Sequence, residues 1–576
     1  VIQPSHAYVP PALEHGRSWG FAANLYALRS QRNWGIGDFT DLRALVRIAA
    51  AVGAGIVGVN PLHALHYNSP ESASPYSPTS RYFRNPIYID VEAVEEFSSP
   101  DPRAEALRER VRGGPFAETL ATLRASSNVQ YAGVARAKWW ALERLYTILH
   151  SQTGERADAF AEFARLGGER LERFAVYEAL GEHFVAENLG HGWRSWPPEY
   201  RDASSPQVRQ WAEQRRSRVD YFKYLQWLAD EQLEATAAEA RILEIGLYLD
   251  VAVGVDASSA DVWSDPTAYV LDETVGAPPD PLGPLGQNWG LPAPDPQALV
   301  RNDGAAFAEL IARNMAHAGA LRLDHVMALL RLFRIPVGKT PADGTYVAYP
   351  FEELLSIAST QSLRARCLIV GEDLGNVPEG FRERMERQAI LSYRVLLFER
   401  EDDGSFKAPE RYPALGLATA TTHDLPTISG RAIGRDIDTW LGTGLVGDDW
   451  VEAARATRRV DVSRLLETLL RHAEIDPTTF EALHRSIDER IPDPGRFEPL
   501  VRAVYRYLAR TPAKLVLVAL DDALVEFEQV NLPGTFFEYP NWRRKNSLDL
   551  EAIAKDERIA ALAAEVRQRV KGEVRS

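Results

Sequence analysis

The sequence predicts an α/β chain built as a (β/α)8 TIM barrel with large inserted, mainly helical subdomains. Two observations point there. Short apolar runs alternate with longer helical patterns, at residues 20–28, 55–60, 246–255, 321–326, 368–371, 393–398, 417–421 and 514–520. Several of these runs are continuous rather than alternating in polarity, as strands of a parallel sheet covered on both faces are. An open doubly wound sheet gives the same local signal, and eight such units favour the barrel.

The helical segments follow the same logic. Over residues 305–318, Phe307, Leu310, Ile311 and Met315 fall on one helical face. Gly319 then reads as the C-cap before the fourth strand. The spacing is uneven: about 185 residues separate the second and third strands, far more than one crossover helix needs. A helical insertion is therefore expected at about 66–245, and a second, charged one at about 435–498. Residues 20–545 read as the catalytic barrel and residues 546–576 as an amphipathic C-terminal helix.

Composition narrows the function. The 576 residues are 45% hydrophobic, ample for a large core. A net charge of −15, from 80 acidic and 65 basic residues, argues against nucleic acid as a partner. The 13 Trp and 21 Tyr fit a carbohydrate binder, although most belong to the core. The single cysteine, Cys367, lies in an apolar run and reads as a buried strand residue. No run approaches the ~20 apolar residues of a membrane span, and the first residues lack the charged and apolar regions of a signal peptide. A cytoplasmic location is expected. His63 and His66 form a His-x-x-His pair without a third ligand, so no metal and no cofactor are expected.

Three carboxylates follow apolar strands: Asp324, Glu372 and Asp424. One carboxylate at a strand end is most simply a cap or an ion-pair partner. Three at matching positions are better explained by chemistry at the mouth of a barrel, where the C-terminal strand ends converge. Arg322 lies two residues before Asp324 and so faces the same side of its strand. A cation there holds Asp324 anionic. Glu372, with burial and negative neighbours raising its pKa, suits a proton donor. Asp424, with His423, is placed to bind sugar hydroxyls.

The order Arg-x-Asp, Glu, His-Asp on successive strands resembles the α-amylase superfamily. The finer resemblance is to glycoside hydrolase family seventy-seven, the amylomaltases, and within it to the bacterial maltodextrin-pathway type. It rests on Ser74-Pro-Tyr-Ser-Pro-Thr-Ser80, on Gly276-Ala-Pro-Pro-Asp-Pro-Leu-Gly-Pro-Leu-Gly-Gln-Asn-Trp-Gly-Leu-Pro292, on Asn531-Leu-Pro-Gly-Thr535 and on Glu538-Tyr-Pro-Asn-Trp-Arg-Arg544. The resemblance implies a 4-α-glucanotransferase with Asp324 as nucleophile, Glu372 as acid/base and Asp424 as transition-state stabiliser. It further implies Arg322, His423 and Tyr76 as substrate contacts, and Trp289 and Gln287 on a loop covering the glucan, with Asp280 at its base. Implied partners are maltooligosaccharides, maltodextrin and a glucose acceptor. Close relatives often carry an extra N-terminal domain, so residues 1–19 read as a lead-in left from one. Asp256 falls near the superfamily's strand-three carboxylate. Glu399 reads as an acceptor-side group or a surface charge. The alternatives are an α-glucan hydrolase of the same superfamily, or a non-catalytic glycan-binding barrel.

Overall fold

The computed structural model describes residues 6–279 and 285–572. Its centre is a closed parallel barrel of eight strands: β1 Ser18–Ala23, β2 Ile56–Val59, β3 Gly246–Val251, β4 Ala320–Leu323, β5 Leu368–Gly371, β6 Leu391–Val395, β7 Gly416–Thr419 and β8 Leu515–Ala519. They run round the barrel in chain order, and β8 pairs back onto β1.

Each strand buries both faces, which is why its sequence reads as an unbroken apolar run. Ile56, Ala320, Leu368, Val370, Leu391, Leu417, Leu515 and Leu517 pack together with Tyr248 and Tyr393 inside the barrel. The intervening residues, such as Phe21, Val57, Leu249, Leu321, Ile369 and Val516, join a separate cluster under the helices. Side chains alternate with a period of two along a strand. The inward set therefore continues from Ala320 to Arg322 and on to Asp324, from Leu368 and Val370 to Glu372, and from Tyr248 to Asp250.

Between β2 and β3 lie the helices Pro102–Arg112, Gly114–Ala125, Tyr131–His150, Glu155–Ala186, Pro206–Gln214 and Arg216–Glu239. The last packs on Phe39–Ala51, the helix after β1, and leads into β3, so it serves as a crossover helix of the barrel. Between β7 and β8, Pro494–Ala509 plays the same part after Arg435–Thr443, Asp448–Arg471 and Pro477–Glu489. The helix Glu557–Lys571 closes on Pro494–Ala509 and β1.

One expectation needs correction. The helix before β4 is Ala305–Met315, and Gly319 is not its cap. Gly319 lies where β3 and β4 meet, and a Cβ there would stand 1.8 Å from the Ile245 carbonyl oxygen. Glycine is needed for close approach rather than for a turn. Beside the mainly helical insertions, the structure adds a small sheet that the sequence reading did not mark. Tyr269–Ala277 and Gln287–Pro294, between β3 and β4, pair antiparallel and extend through Arg331–Pro336 to Thr345–Ala348 in a four-stranded sheet. No helix among the described residues is long and apolar enough to cross a membrane.

Candidate active site

The strand register brings the charged groups together. Asp250 pairs with Arg322 across β3 and β4, and Leu323 pairs with Gly371 across β4 and β5. Asp324 and Glu372 are each the next residue, so they stand level on adjacent strands. The ladder continues through them: the Asp324 amide donates to the Val251 carbonyl at 3.1 Å, and the Glu372 amide to the Leu323 carbonyl at 3.0 Å. His325 then turns the chain sharply with φ of +46°. That turn aims its amide at Glu372 Oε2, 3.0 Å away, while the Leu374 amide donates to Oε1 at 2.7 Å.

Arg322 is clamped between two carboxylates. Its Nη1 donates to both oxygens of Asp250, at 2.9 and 2.7 Å, and its Nη2 lies 2.8 Å from Asp324 Oδ1. Charge-assisted bonds of this kind are strong and directional. They hold the guanidinium charged, its pKa raised by Asp250 and Asp324 against the opposing effect of burial. Glu372 behaves oppositely. Burial first, and the Asp324 charge second, raise its pKa to about 7, although Arg322 and the two backbone amides pull the other way. The adjacent carboxyl groups thus differ in environment: Glu372 has a pKa near neutrality, and Asp324 is paired with a cation.

The opposite wall is built from the segments after β7 and β8. β7 ends at Thr419, so His423 and Asp424 stand in the following turn rather than at the strand end. His423 Nε2 lies 3.1 Å from Asp424 Oδ2, and Asn531 Nδ2 donates to Asp424 Oδ1 at 2.6 Å. Half of the Asp424 side chain is open to the cleft although protein surrounds it. Burial alone would raise its pKa; His423 and Asn531 outweigh that and lower it. Burial likewise works against the charged form of His423, and Asp424 reverses this and raises its pKa. The other ring nitrogen, Nδ1, lies 3.1 Å from the Tyr76 hydroxyl, which itself donates to Asp250 at 2.7 Å. A cationic imidazole donates from both nitrogens. One hydrogen-bonded chain therefore runs from Asp424 through His423, Tyr76, Asp250 and Arg322 to Asp324. The Tyr76 ring stacks on His423, with centroids 4.4 Å apart, and Trp542 lies against both rings.

Beneath these groups the mouth opens into a cleft lined by Tyr76, Tyr248, Asp250, Arg322, Tyr393 and His423 among others. Trp289 stands on a strand of the β3–β4 hairpin, between Gly286 and Gly290, which have φ of +65° and +71°. Its indole meets the edge of His325 with centroids 5.2 Å apart, and its Nε1 donates to Gln287 Oε1 at 2.9 Å. Asp280 lies outside the described residues.

The readings of two residues change, and two others find their partners. Asp256 is a loop residue that accepts the Ser258 amide and faces His66 at 3.5 Å; the strand-three carboxylate in the mouth is Asp250. Glu399 is buried between Arg394, at 3.4 Å, and Lys407, at 2.9 Å, and is neither an acceptor contact nor a surface charge. His63 is buried, held neutral by burial, and takes the Ala252 amide at 3.3 Å. Asp373 faces away from the mouth and pairs with Arg382 at 2.7 Å. Sequence reasoning missed Asp250, Asn531 and Trp542 as site residues. Asp250 had a signal, a carboxylate near the end of an apolar run. Asn531 and Trp542 stood inside quoted motifs without a role.

Level carboxylates and a clamped arginine thus stand together at the C-terminal mouth of a closed parallel barrel, the face on which enzymes of this architecture carry their active sites. The family model described as 4-alpha-glucanotransferase matches residues 23–549. The chain is 36% identical over 580 residues to the 4-alpha-glucanotransferase of Haemophilus influenzae, covering 99% of this chain and 81% of that one. It is 35% identical over 591 residues to that of Mycobacterium tuberculosis, covering 98% and 77%. Its fold matches the amylomaltase of Corynebacterium glutamicum with a TM-score of 0.84 at 29% identity, covering 98% and 77%. The chain belongs to the 4-alpha-glucanotransferase family and carries that family's transferase activity on α-glucans.

Proposed function

We propose that this enzyme moves α-1,4-glucan segments from a maltooligosaccharide or maltodextrin donor to glucose or another maltooligosaccharide, in two displacements that retain the anomeric configuration. Asp324 attacks the anomeric carbon while Glu372 protonates the departing glycosidic oxygen. The glycosyl ester on Asp324 is then opened by an acceptor hydroxyl, from which Glu372 takes the proton back. Asp424 and His423 hold hydroxyls of the reacting glucose, and their bonds tighten as positive charge develops on the ring. Arg322 holds the Asp324 carboxylate in place through their ion pair, Tyr76 offers its ring to the sugar, and Trp289 and Gln287 cover the cleft.

The observation that carries this reading is the level placement of Asp324 and Glu372 on neighbouring strands. Parallel strands are ~4.8 Å apart, and a retaining pair needs a carboxyl separation of ~5–5.5 Å. Transfer rather than hydrolysis requires water to be kept from the ester. The contact of Trp289 with His325, the residue after Asp324, supports a cover over that bond. The chain's single cysteine, buried at Cys367, accords with a cytoplasmic setting.

Incubation with maltotriose tests the proposal. The expected result is glucose and a ladder of longer maltooligosaccharides with little net gain of reducing ends. A steady gain of reducing ends without longer products would replace it with the hydrolase reading.

A further inference from the structure

The loop after β8 carries two side chains that the chemistry above does not use. Phe536 is 81% exposed and Phe537 fully exposed, while Thr535 just before them is buried. Two adjacent phenylalanines in water are costly unless something covers them.

The loop that presents them is braced from within. The Asn541 side chain accepts the Leu532 amide at 2.8 Å and donates to the Thr535 carbonyl and hydroxyl at 3.0 and 2.9 Å. Glu538 Oε2 accepts the amides of both Phe536 and Phe537, at 2.8 and 3.0 Å. The rings are thus carried on a shaped tip. The base of the same loop is tied to the reaction centre: Asn531 holds Asp424, and the Trp542 amide returns to the Val530 carbonyl at 3.0 Å. In the strand order, β8 lies across the barrel from β4, and Trp289 packs against His325, just past the end of β4.

We propose that Phe536 and Phe537 form an outer subsite for the α-glucan chain, stacking on glucose units beyond those held at the carboxylates. The argument rests on the glucan reading above. A glucan entering or leaving the cleft must cross its rim, and the loop whose base grips Asp424 and lines the cleft carries two bare aromatic faces. The apolar faces of pyranose rings suit aromatic side chains, and stacking needs no hydrogen-bonding partner at the tip. Trp289 and this pair then mark opposite rims of one path, which makes the enzyme favour longer chains.

Binding in an inactive background separates this proposal from the catalytic one. Titration calorimetry would compare maltoheptaose and maltotriose on D324N, with and without F536A/F537A. The expected result is about tenfold weaker maltoheptaose binding, equal to ~1.4 kcal/mol, with a much smaller change for maltotriose. In the active enzyme, F536A/F537A lowers the ratio of kcat/KM for maltoheptaose to that for maltotriose by a similar factor. F536Y/F537Y keeps the aromatic faces and restores the ratio; F536L/F537L does not. Equal losses for both sugars, or full function of the leucine variant, would overturn the subsite. So would a change of oligomeric state in F536A/F537A by sedimentation, which would make the pair a contact between copies of the chain. Absence of maltotriose disproportionation by the unmodified enzyme would instead overturn the transferase reading and leave the binding comparison valid.

Discussion

The two walls of the barrel mouth hold their carboxylates by different means. On the β3–β4–β5 wall, Asp250, Arg322, Asp324 and Glu372 are set by the main-chain ladder, and their side chains follow from register. On the other wall, Asp424 stands beyond its strand and is held by side chains, His423 and Asn531, the second from a loop 107 residues away in sequence. Register is as rigid as the barrel. A side-chain clamp is as rigid as its weakest bond. The first wall suits covalent chemistry, in which small displacements are expensive. The second suits recognition of hydroxyls that strengthens along the reaction.

The largest effect that would test this division is at Asp324. D324N keeps the shape and removes the attacking charge. Turnover should fall by at least ~10³-fold while glucan binding survives. Loss of binding together with turnover would make Asp324 a structural residue and erase the difference between the walls.

Asp250 should come next. D250N removes one of the two anions that fix Arg322 and weakens the link to Tyr76, each a charge-assisted bond of ~1.5–3 kcal/mol. We expect kcat/KM to fall by roughly 10²-fold with little change in thermal midpoint. A loss confined to the midpoint would show that the pair serves folding alone.

The pH profile reads the asymmetry between the paired carboxyl groups. Glu372, raised to about 7 by burial and by Asp324, is protonated below that value and loses its proton above it. If it is the proton donor of the first step, as proposed, kcat/KM should fall about tenfold per pH unit on the alkaline side of about 7. Activated donors with good leaving groups need no such proton, so their first step should lack this limb. Its persistence would move the assignment to another group, and His423, also raised, is the nearest candidate.

The smallest effect should be on the second wall. N531A releases one oxygen of Asp424, and a drop of about fivefold in kcat/KM is expected. Combined with D424N it should add almost nothing, because the two residues act as one unit. Additive losses would mean that Asn531 contacts substrate independently.

The same division explains what could be read from the sequence. Parallel strands bury both faces, so each appears as a compact apolar run, and a charge next to such a run is conspicuous. Asp324, Glu372 and Arg322 were legible for that reason. Asp250 carried the same signal, but Asp256, five residues beyond β3, lies nearer to the superfamily's pattern, and only pairing with Arg322 distinguishes them. The hairpin bearing Trp289 was hidden because Gln287–Pro294 contains glycine and proline, and its first half is exposed rather than alternating. Asn531 and Trp542 were visible as motif residues. Their role depends on which loops meet across the mouth, and local pattern does not encode that. Glu399 was misread because sequence shows neither Arg394 nor Lys407 folding over it.

The central claim is that a covalent ester forms on Asp324 and that Glu372 is needed to resolve it. The most direct measurement uses E372Q with α-maltotriosyl fluoride, whose leaving group needs no proton. The reaction is quenched in acid, digested and mapped by mass spectrometry. The account predicts one maltotriosyl group on the peptide containing Asp324, absent when D324N is added to the same protein. An adduct on another carboxylate, or no adduct together with products of inverted configuration, would contradict it.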